Sequence, residues 1–262
     1  EVPAAMTLEE IWQLVDTAER TRKHCMQLEN CVYDFFELTT LNMAQNGVFG
    51  ELLHVEGSYI HNLTDYWGDY WNNWRLDYNR KHRGDVYPTH GFGPACQLLD
   101  IHRGDRLKTL VAMDTKSVNG AAQVAKMTGE QCDDFKNADH TLTMIGTEKG
   151  KTILIEHNVM TPRPYSRMYQ VTGTEGFANK YPVKQYCIGE INPHIAVSEE
   201  DMNRLMNEYK HPIHLELESK AKEVGGHGGM DFIMDYRLVY CLRNGLPLDM
   251  DVYDLAEWCG MI

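Results

Sequence analysis

The chain has no apolar run approaching about 18 residues, so no stretch of it reads as a membrane-spanning helix. Basic residues are in deficit. The 262 residues carry 25 Lys+Arg against 38 Asp+Glu, a formal charge of −13, which argues against nucleic acid because phosphate binding needs clustered Lys and Arg. No C-x-x-C occurs, and the seven cysteines (25, 31, 96, 132, 187, 241 and 259) are odd in number and scattered. That speaks against a disulfide framework and a zinc ribbon, while one or two bridges, and with them the redox compartment, stay open. His211-x-x-His214 has no third ligand in sight, so no metal is expected. The absence of G-x-S-x-G weakens a serine-hydrolase reading. No internal repeat, linker composition or low-complexity segment is present. There is no initiator Met, signal peptide or transit peptide. Glu1-Val2-Pro3-Ala4-Ala5 stands abruptly before a helix, and the expectation is that processing or truncation removed something upstream. Periplasmic, secreted and cytoplasmic locations all stay open.

What is there fits a globular chain, with 43% apolar and 24% charged residues. The length allows one large domain or two modest ones. Thr7-Leu8-Glu9-Glu10 is a capping box opening a helix to about Thr21. Residues 23–29 read as a short buried strand, and 33–45 as a helix stopped by Asn46-Gly47. Residues 51–60 look like a strand, 62–85 a polar, aromatic loop, and 93–101 a helix. Strands are expected at 107–114, 140–146, 152–158 and 167–172, forming an antiparallel or mixed sheet with one face covered. Helices at 198–206, 214–224, 230–243 and 252–259 close the chain. Strands followed by helices give an α+β class, with an α/β remnant in front.

Three segments carry chemistry. The densest is Tyr59-Ile60-His61-Asn62, followed by Tyr66, Trp67, Tyr70, Trp71, Trp74, Arg75 and Tyr78. Aromatic faces stack on sugar rings and Arg donates to hydroxyl or carbonyl oxygens. The same residue types build interdomain and oligomer contacts, and composition does not separate the two. Second, residues 84–94 surround Tyr87 and His90 with two prolines and three glycines. A rigid loop of this kind either presents an acid/base pair or is a structural turn with a surface His. Third, Gly225-Gly226-His227-Gly228-Gly229-Met230-Asp231 opens a helix. It either lets backbone N–H groups approach a ligand or marks a hinge or tight packing.

The segments YPTHGFGPACQLLDIHRGDR (87–106), LENC (28–31), EGSYIHN (56–62), WRL (74–76), RPY (163–165) and GGHGGMDF (225–232) resemble glycoside hydrolase family 109 over essentially the whole chain. That family includes NAD-dependent α-N-acetylgalactosaminidases and belongs to the Gfo/Idh/MocA oxidoreductase-like superfamily. The resemblance implies a mixed open sheet covered by helices, with residues 1–30 as the last helix and strand of a dinucleotide-binding domain and 31–262 as the substrate and oligomerisation domain. No G-x-G-x-x-G fingerprint is present, which puts cofactor binding by this chain in doubt. Val2 stands where the wider superfamily usually has the Lys of Glu-Lys-Pro, which favours the glycosidase branch over a sugar dehydrogenase.

The implied chemistry is NAD-assisted elimination, the exception to two-carboxylate glycoside hydrolysis. The resemblance makes His90, Tyr59 and His61 the catalytic candidates. His90 would handle the C3 hydroxyl proton and Tyr59 the C2 proton, with the two roles open to exchange. It gives Arg75, Tyr87, Pro88, Thr89, His90 and Tyr165 as substrate-binding residues. Glu1, Val2, Pro3, Glu29, Asn30 and Asn62 would lie near the nicotinamide end of NAD. A sugar oxidoreductase, or a catalytically silent fragment that only folds or oligomerises, are the competing expectations. A homo-oligomer through the sheet face at 107–172 is expected as partner.

Overall fold

The computed structural model describes residues 3–67 and 74–262. The candidates Glu1, Val2, Tyr70 and Trp71 lie outside the described residues.

Helix α1 (Leu8–Thr21) begins at the expected capping box, with Thr7 Oγ1 accepting from the Glu10 N–H and the Glu10 carboxylate accepting from the Thr7 N–H. Its inner face, Ile11 and Val15, is buried. Ala5 and Ile11 pack with Leu255 and Cys259 of the last helix. The predicted strand at 23–29 is absent. The segment pairs with no strand among the described residues and runs without regular structure. The segment's buried side chains are the polar Gln27 and Glu29, held beneath other elements, while Cys25, Met26 and Leu28 are only half-buried. A one-turn 3-10 helix (Asn30–Tyr33) leads into α2 (Phe35–Gln45), capped by Asp34. Asp34 splits what periodicity joins into one helix over 33–45.

A seven-stranded mixed sheet follows. Its members are β1 (Leu52–Ile60), β2 (Leu107–Asp114), β3 (Thr141–Thr147), β4 (Thr152–Asn158), β5 (Tyr169–Gly173), β6 (Gly176–Asn179) and β7 (Gln185–Ile188). Their spatial order is β2-β3-β4-β1-β5-β6-β7. β1 runs parallel to β4, and all other pairings are antiparallel. One face carries Val55, Ile145, Ile153, Ile155 and Val171, fully or almost fully buried. The other face is open near β2, where register aligns Val111 with Met144 and Met113 with Leu142, all four exposed. The fold is therefore α+β with an open mixed sheet covered on one face, as expected.

Helices α3 (Trp74–Lys81), α4 (Thr89–Leu98), α5 (Asn119–Thr128), α6 (Glu199–Glu208), α7 (Pro212–Val224), α8 (Met230–Asn244) and α9 (Val252–Gly260) complete the described structure. α6, α7, α8 and α9 match the expected segments closely. The aromatic loop over 62–85 contains α3, and α5 has no counterpart in the sequence reading. The helix expected over 93–101 is present as α4, but it starts four residues earlier, at Thr89, inside the segment that the prolines and glycines of 84–94 mark as irregular.

The glycines of α4 are there for contact. A Cβ on Gly91 would stand 2.7 Å from Ser58 N, and one on Gly57 would stand 2.4 Å from the Gly91 carbonyl oxygen. Helix α4 therefore rests on β1 backbone against backbone, and tertiary packing overrides weak helix propensity. Gly93 likewise leaves room for Glu29 and Trp258, each 3.1 Å from where a Cβ would sit. All seven cysteines are free thiols.

Candidate active site

The contact between α4 and β1 puts His90, on the first turn of α4, beside Tyr59, near the C-terminal end of β1. Their ring centroids are 5.0 Å apart at 75°. Side chains two apart on a strand share a face, and Tyr59 Oη hydrogen-bonds His61 Nδ1 at 3.0 Å. Past the end of β1, Ile60 and Ser166 exchange backbone hydrogen bonds as an antiparallel bridge. That register sets His61 opposite Tyr165, whose ring meets it edge-on at 5.0 Å. Tyr87 stacks on Tyr59 at 4.8 Å and tilts against His90 at 4.8 Å. The Arg75 guanidinium lies 5.4 Å from the Tyr87 ring centre and 4.4 Å from that of Trp74. Tyr59, His61, Arg75, Tyr87, His90 and Tyr165, spread over 107 positions of sequence, thus form one cluster. Pro88 is buried at the cap of α4, and Thr89 is fully buried with its hydroxyl unpaired.

The cluster has a carboxylate behind it. Glu29 is fully buried, and its Oε1 accepts from His90 Nδ1 at 2.6 Å and from the Cys31 N–H at 3.0 Å. Burial pushes this carboxyl up. The adjacent imidazole, its hydrogen bond and the Cys31 N–H outweigh burial, with the Thr89 hydroxyl nearby though outside good hydrogen-bond geometry, and the carboxyl ends below its ordinary value. An ionised Glu29 only accepts, so Nδ1 carries the hydrogen and Nε2 is the ring's remaining nitrogen for proton exchange. Glu29 therefore orients His90, and it is not available as a direct ligand for a nicotinamide through that oxygen.

The other cofactor candidates divide. Asn30 Nδ2 donates to Asp231 Oδ1 at 2.6 Å, so this carboxamide ties the 3-10 turn to α8. Asn62 Oδ1 caps its own turn, accepting from the Thr64 N–H and hydroxyl at 3.1 and 2.7 Å, while its Nδ2 hydrogen-bonds no described residue. That free donor at the open end of β1 fits a carboxamide or ribose oxygen. Pro3 is buried in front of α1. Among the described candidates, the fit to the nicotinamide end of a dinucleotide therefore rests on Asn62.

Burial pushes the Tyr59 hydroxyl well up, with Tyr87 and Tyr165 adding to it. Tyr87 is raised by burial as well, against the pull of Arg75. Burial, then the nearby His90, lowers His61, which favours its neutral form. The site is a set of protonated phenols around two imidazoles, one neutral and one held by a carboxylate.

Sequence reasoning missed the charged layer beneath. Lys180 Nζ contacts both Glu37 oxygens at 2.7 and 2.8 Å and Asp34 Oδ2 at 2.9 Å. Arg167 contacts Asp34 at 3.2 Å and donates to Cys31 Sγ at 3.0 Å. Burial raises the Asp34 carboxyl, but Lys180 and Arg167 outweigh it and leave it lowered to about 2, while burial and Asp34 push Glu37 up to about 7. Glu37 and Lys180 are 143 positions apart and each reads as an ordinary surface residue, so no local pattern marks them. The glycine-rich segment at 225–229 packs rather than opens. A Cβ on Gly229 would stand 2.9 Å from Ala221, and His227 bonds Asp231 at 2.7 Å.

A seven-stranded open mixed sheet with helices over one face defines the class, an α+β fold. Solved structures agree on the fold. An NAD binding oxidoreductase from Klebsiella pneumoniae superposes with a TM-score of 0.70 at 14% identity, covering 99% of this chain and 68% of that one. The aldose-aldose oxidoreductase of Caulobacter crescentus gives 0.66 at 13%, covering 99% and 65%. The family model described as glycosyl hydrolase 109, C-terminal domain, matches residues 33–262. A glycosyl hydrolase family 109 protein of Porphyromonas gingivalis is 72% identical over 99% of this chain and 58% of its own length. One from Bacteroides thetaiotaomicron is 70% identical over 100% and 59%. This chain belongs to glycosyl hydrolase family 109, and it spans somewhat under six tenths of the length of these relatives.

Proposed function

We propose that this chain forms the sugar-binding and proton-handling part of an NAD-dependent glycosidase that releases terminal α-linked N-acetylgalactosamine, with residues 1–30 belonging to the nucleotide-binding side and 31–262 to the substrate side. The observation that carries this reading is the Glu29–His90 pair packed against Tyr59 and Tyr87, with His61 and Tyr165 beside Tyr59. Ordinary glycosidases need two carboxyl groups flanking the glycosidic bond. Here Glu29 is spent on His90, and Asp85 lies buried under the Tyr87 backbone, accepting its N–H at 3.2 Å. Neither is placed to flank a sugar.

Bound NAD supplies a hydride acceptor, and later a donor, for C3 of the sugar. His90, held by Glu29, takes the C3 hydroxyl proton at Nε2 and returns it. The Tyr59 hydroxyl stays protonated, so it takes the C2 proton only by passing its own to neutral His61. This assigns the C2 step to Tyr59 and His61 together. Arg75, Tyr87 and Tyr165 line the sugar, the guanidinium aimed at its oxygens and the rings at its apolar face, whereas Thr89, expected among them, is fully buried and does not reach it. The exposed Val111, Met113, Leu142 and Met144 face supports a homo-oligomer through the sheet. Met144→Asp would then lower the sedimentation mass, and an unchanged mass would remove that partner.

The test is release of an aryl reporter from its α-N-acetylgalactosaminide with NAD added. The expected outcome is turnover without net NADH, slowed by deuterium at C3, with solvent exchange at C2. NADH accumulating in step with turnover would instead identify a sugar oxidoreductase. No NAD binding and no turnover would leave a silent fragment.

A further inference from the structure

Glu29, Cys31 and His90 each offer one ligand atom, and these atoms lie within 4.8 Å of one another. No sequence spacing announces this set, because Glu29 and His90 are 61 positions apart. A second observation concerns the same carboxylate. Glu29 Oε2 is completely buried and has no hydrogen-bond partner, although an unpaired buried carboxylate oxygen is costly. Oε1 already serves the Cys31 N–H and His90, so Oε2 is the group left over.

We propose that Glu29, Cys31 and His90 form a binding site for a thiophilic divalent cation of the zinc class, with water as fourth ligand. The donor set of one sulfur, one nitrogen and one oxygen matches tetrahedral zinc chemistry, with bonds of about 2.3 Å to sulfur and about 2.0 Å to the others. Glu29 Oε2 takes the carboxylate role while Oε1 keeps the Cys31 N–H. His90 gives up its 2.6 Å contact with Oε1, its ring hydrogen leaves Nδ1 and Nε2 takes one up from solvent, and the bared Nδ1 turns to the metal. Cys31 loses its S–H proton to solvent buffer, and the freed sulfur lone pair forms the metal bond. Burial and the Glu29 charge push the Cys31 thiol well up, against Arg167 Nη1 at 3.0 Å, so the arriving cation itself drives the loss of this proton. Asp34 and Glu37 face Arg167 and Lys180 in the adjoining layer, so the pocket does not present positive charge alone. His90, slightly exposed where Glu29 and Cys31 are sealed, is the way in.

One consequence rests on the proposed function. A filled site removes His90 from the C3 proton and halts turnover, so the metal acts as an inhibitor that a chelator reverses.

The experiment titrates chelator-stripped protein with Co2+, without sugar or nucleotide. The expected result is one equivalent bound, with sulfur-to-cobalt charge-transfer absorption in the near ultraviolet and tetrahedral bands in the visible, both bleached by Zn2+. Cys31→Ser abolishes the charge-transfer band, and Glu29→Gln weakens binding at least about tenfold. A missing band in the parent protein, or a band that survives in a Cys31→Ser protein with parental circular dichroism, overturns the proposal. If Cys31→Ser does not fold, X-ray absorption of the zinc-loaded parent decides. A shell with one sulfur supports the site, and a shell of only nitrogen and oxygen overturns it. Because the readout needs no turnover, an inactive protein that binds cobalt through sulfur separates failure of the glycosidase reading from failure of this one.

Discussion

Glu29 Oε1 and His90 Nδ1 stand 2.6 Å apart, joining a 3-10 turn to the first turn of α4. A buried carboxylate holding one imidazole nitrogen fixes both the tautomer and the ring plane, leaving the second nitrogen for chemistry.

That pairing predicts graded losses. His90→Gln removes the proton carrier and lowers kcat by about 10²–10⁴. Glu29→Gln leaves an imidazole of unfixed tautomer and costs less, with KM little changed. Initial rates on an aryl α-N-acetylgalactosaminide, with NAD present, check both. Equal rates for parent and His90→Gln would remove His90 from the mechanism.

The backbone seat of α4 on β1 gives a second prediction. Gly91→Ala places a methyl 2.7 Å from Ser58 N and 2.8 Å from Gly57 C. The helix must lift, at a cost of about 1–3 kcal/mol or more. His90 moves with it, and a displacement of about 1 Å in such a site lowers rates on the order of 10²-fold. Thermal melting and kcat/KM measured on the same preparation read the two effects.

Asp85 and His157 give a pH-dependent one. They are buried together at 3.7 Å, too long for a hydrogen bond, and Asp85 Oδ2 and His157 Nε2 both lack partners. Burial drives Asp85 up to about 7 and His157 down to about 3, so each is neutral between these values and no ion pair forms. Below about pH 4, Asp85 is protonated in both the folded and unfolded chain. As pH rises the unfolded chain ionises first, so stability falls from about pH 4 to 7. Asp85→Asn keeps an oxygen for the Tyr87 N–H and escapes this loss. It raises stability by a few kcal/mol at pH 8 and changes it little at pH 4. Denaturant midpoints at the two pH values measure the difference, and an equal change at both would contradict it.

The layer under the site supplies the fourth. Lys180→Met strips Glu37 and Asp34 of their shared ammonium and destabilises by about 3–5 kcal/mol. Adding Glu37→Gln recovers part of that loss, because one buried charge goes with it. A double-mutant cycle by chemical denaturation reports the coupling.

The sequence made some of this legible and hid the rest for physical reasons. Capping at Thr7 and Ser198 and the alternation of β3 and β4 are local signals, and they placed those elements closely. The resemblance brought Tyr59, Arg75, Tyr87, His90 and Tyr165 forward, and these residues do meet. The first turn of α4 was hidden because Pro88 and Gly91 look like loop punctuation until the strand beneath them is visible. β6 and β7, four residues each, are too short to show a period. Asn30 was expected at the nicotinamide, but its partner Asp231 lies 201 positions away. Contacts at that range leave no local trace.

The meeting of Gly57 and Gly91 leaves no side chain between strand and helix that could act as an adjustable spacer. Two parts of the proton path are set by main-chain atoms, much as a hinge pin sets the gap of a door. Under the proposed function, adapting this scaffold to a different sugar therefore falls to Arg75 and Tyr165, whose side chains can change size without disturbing the seat of His90.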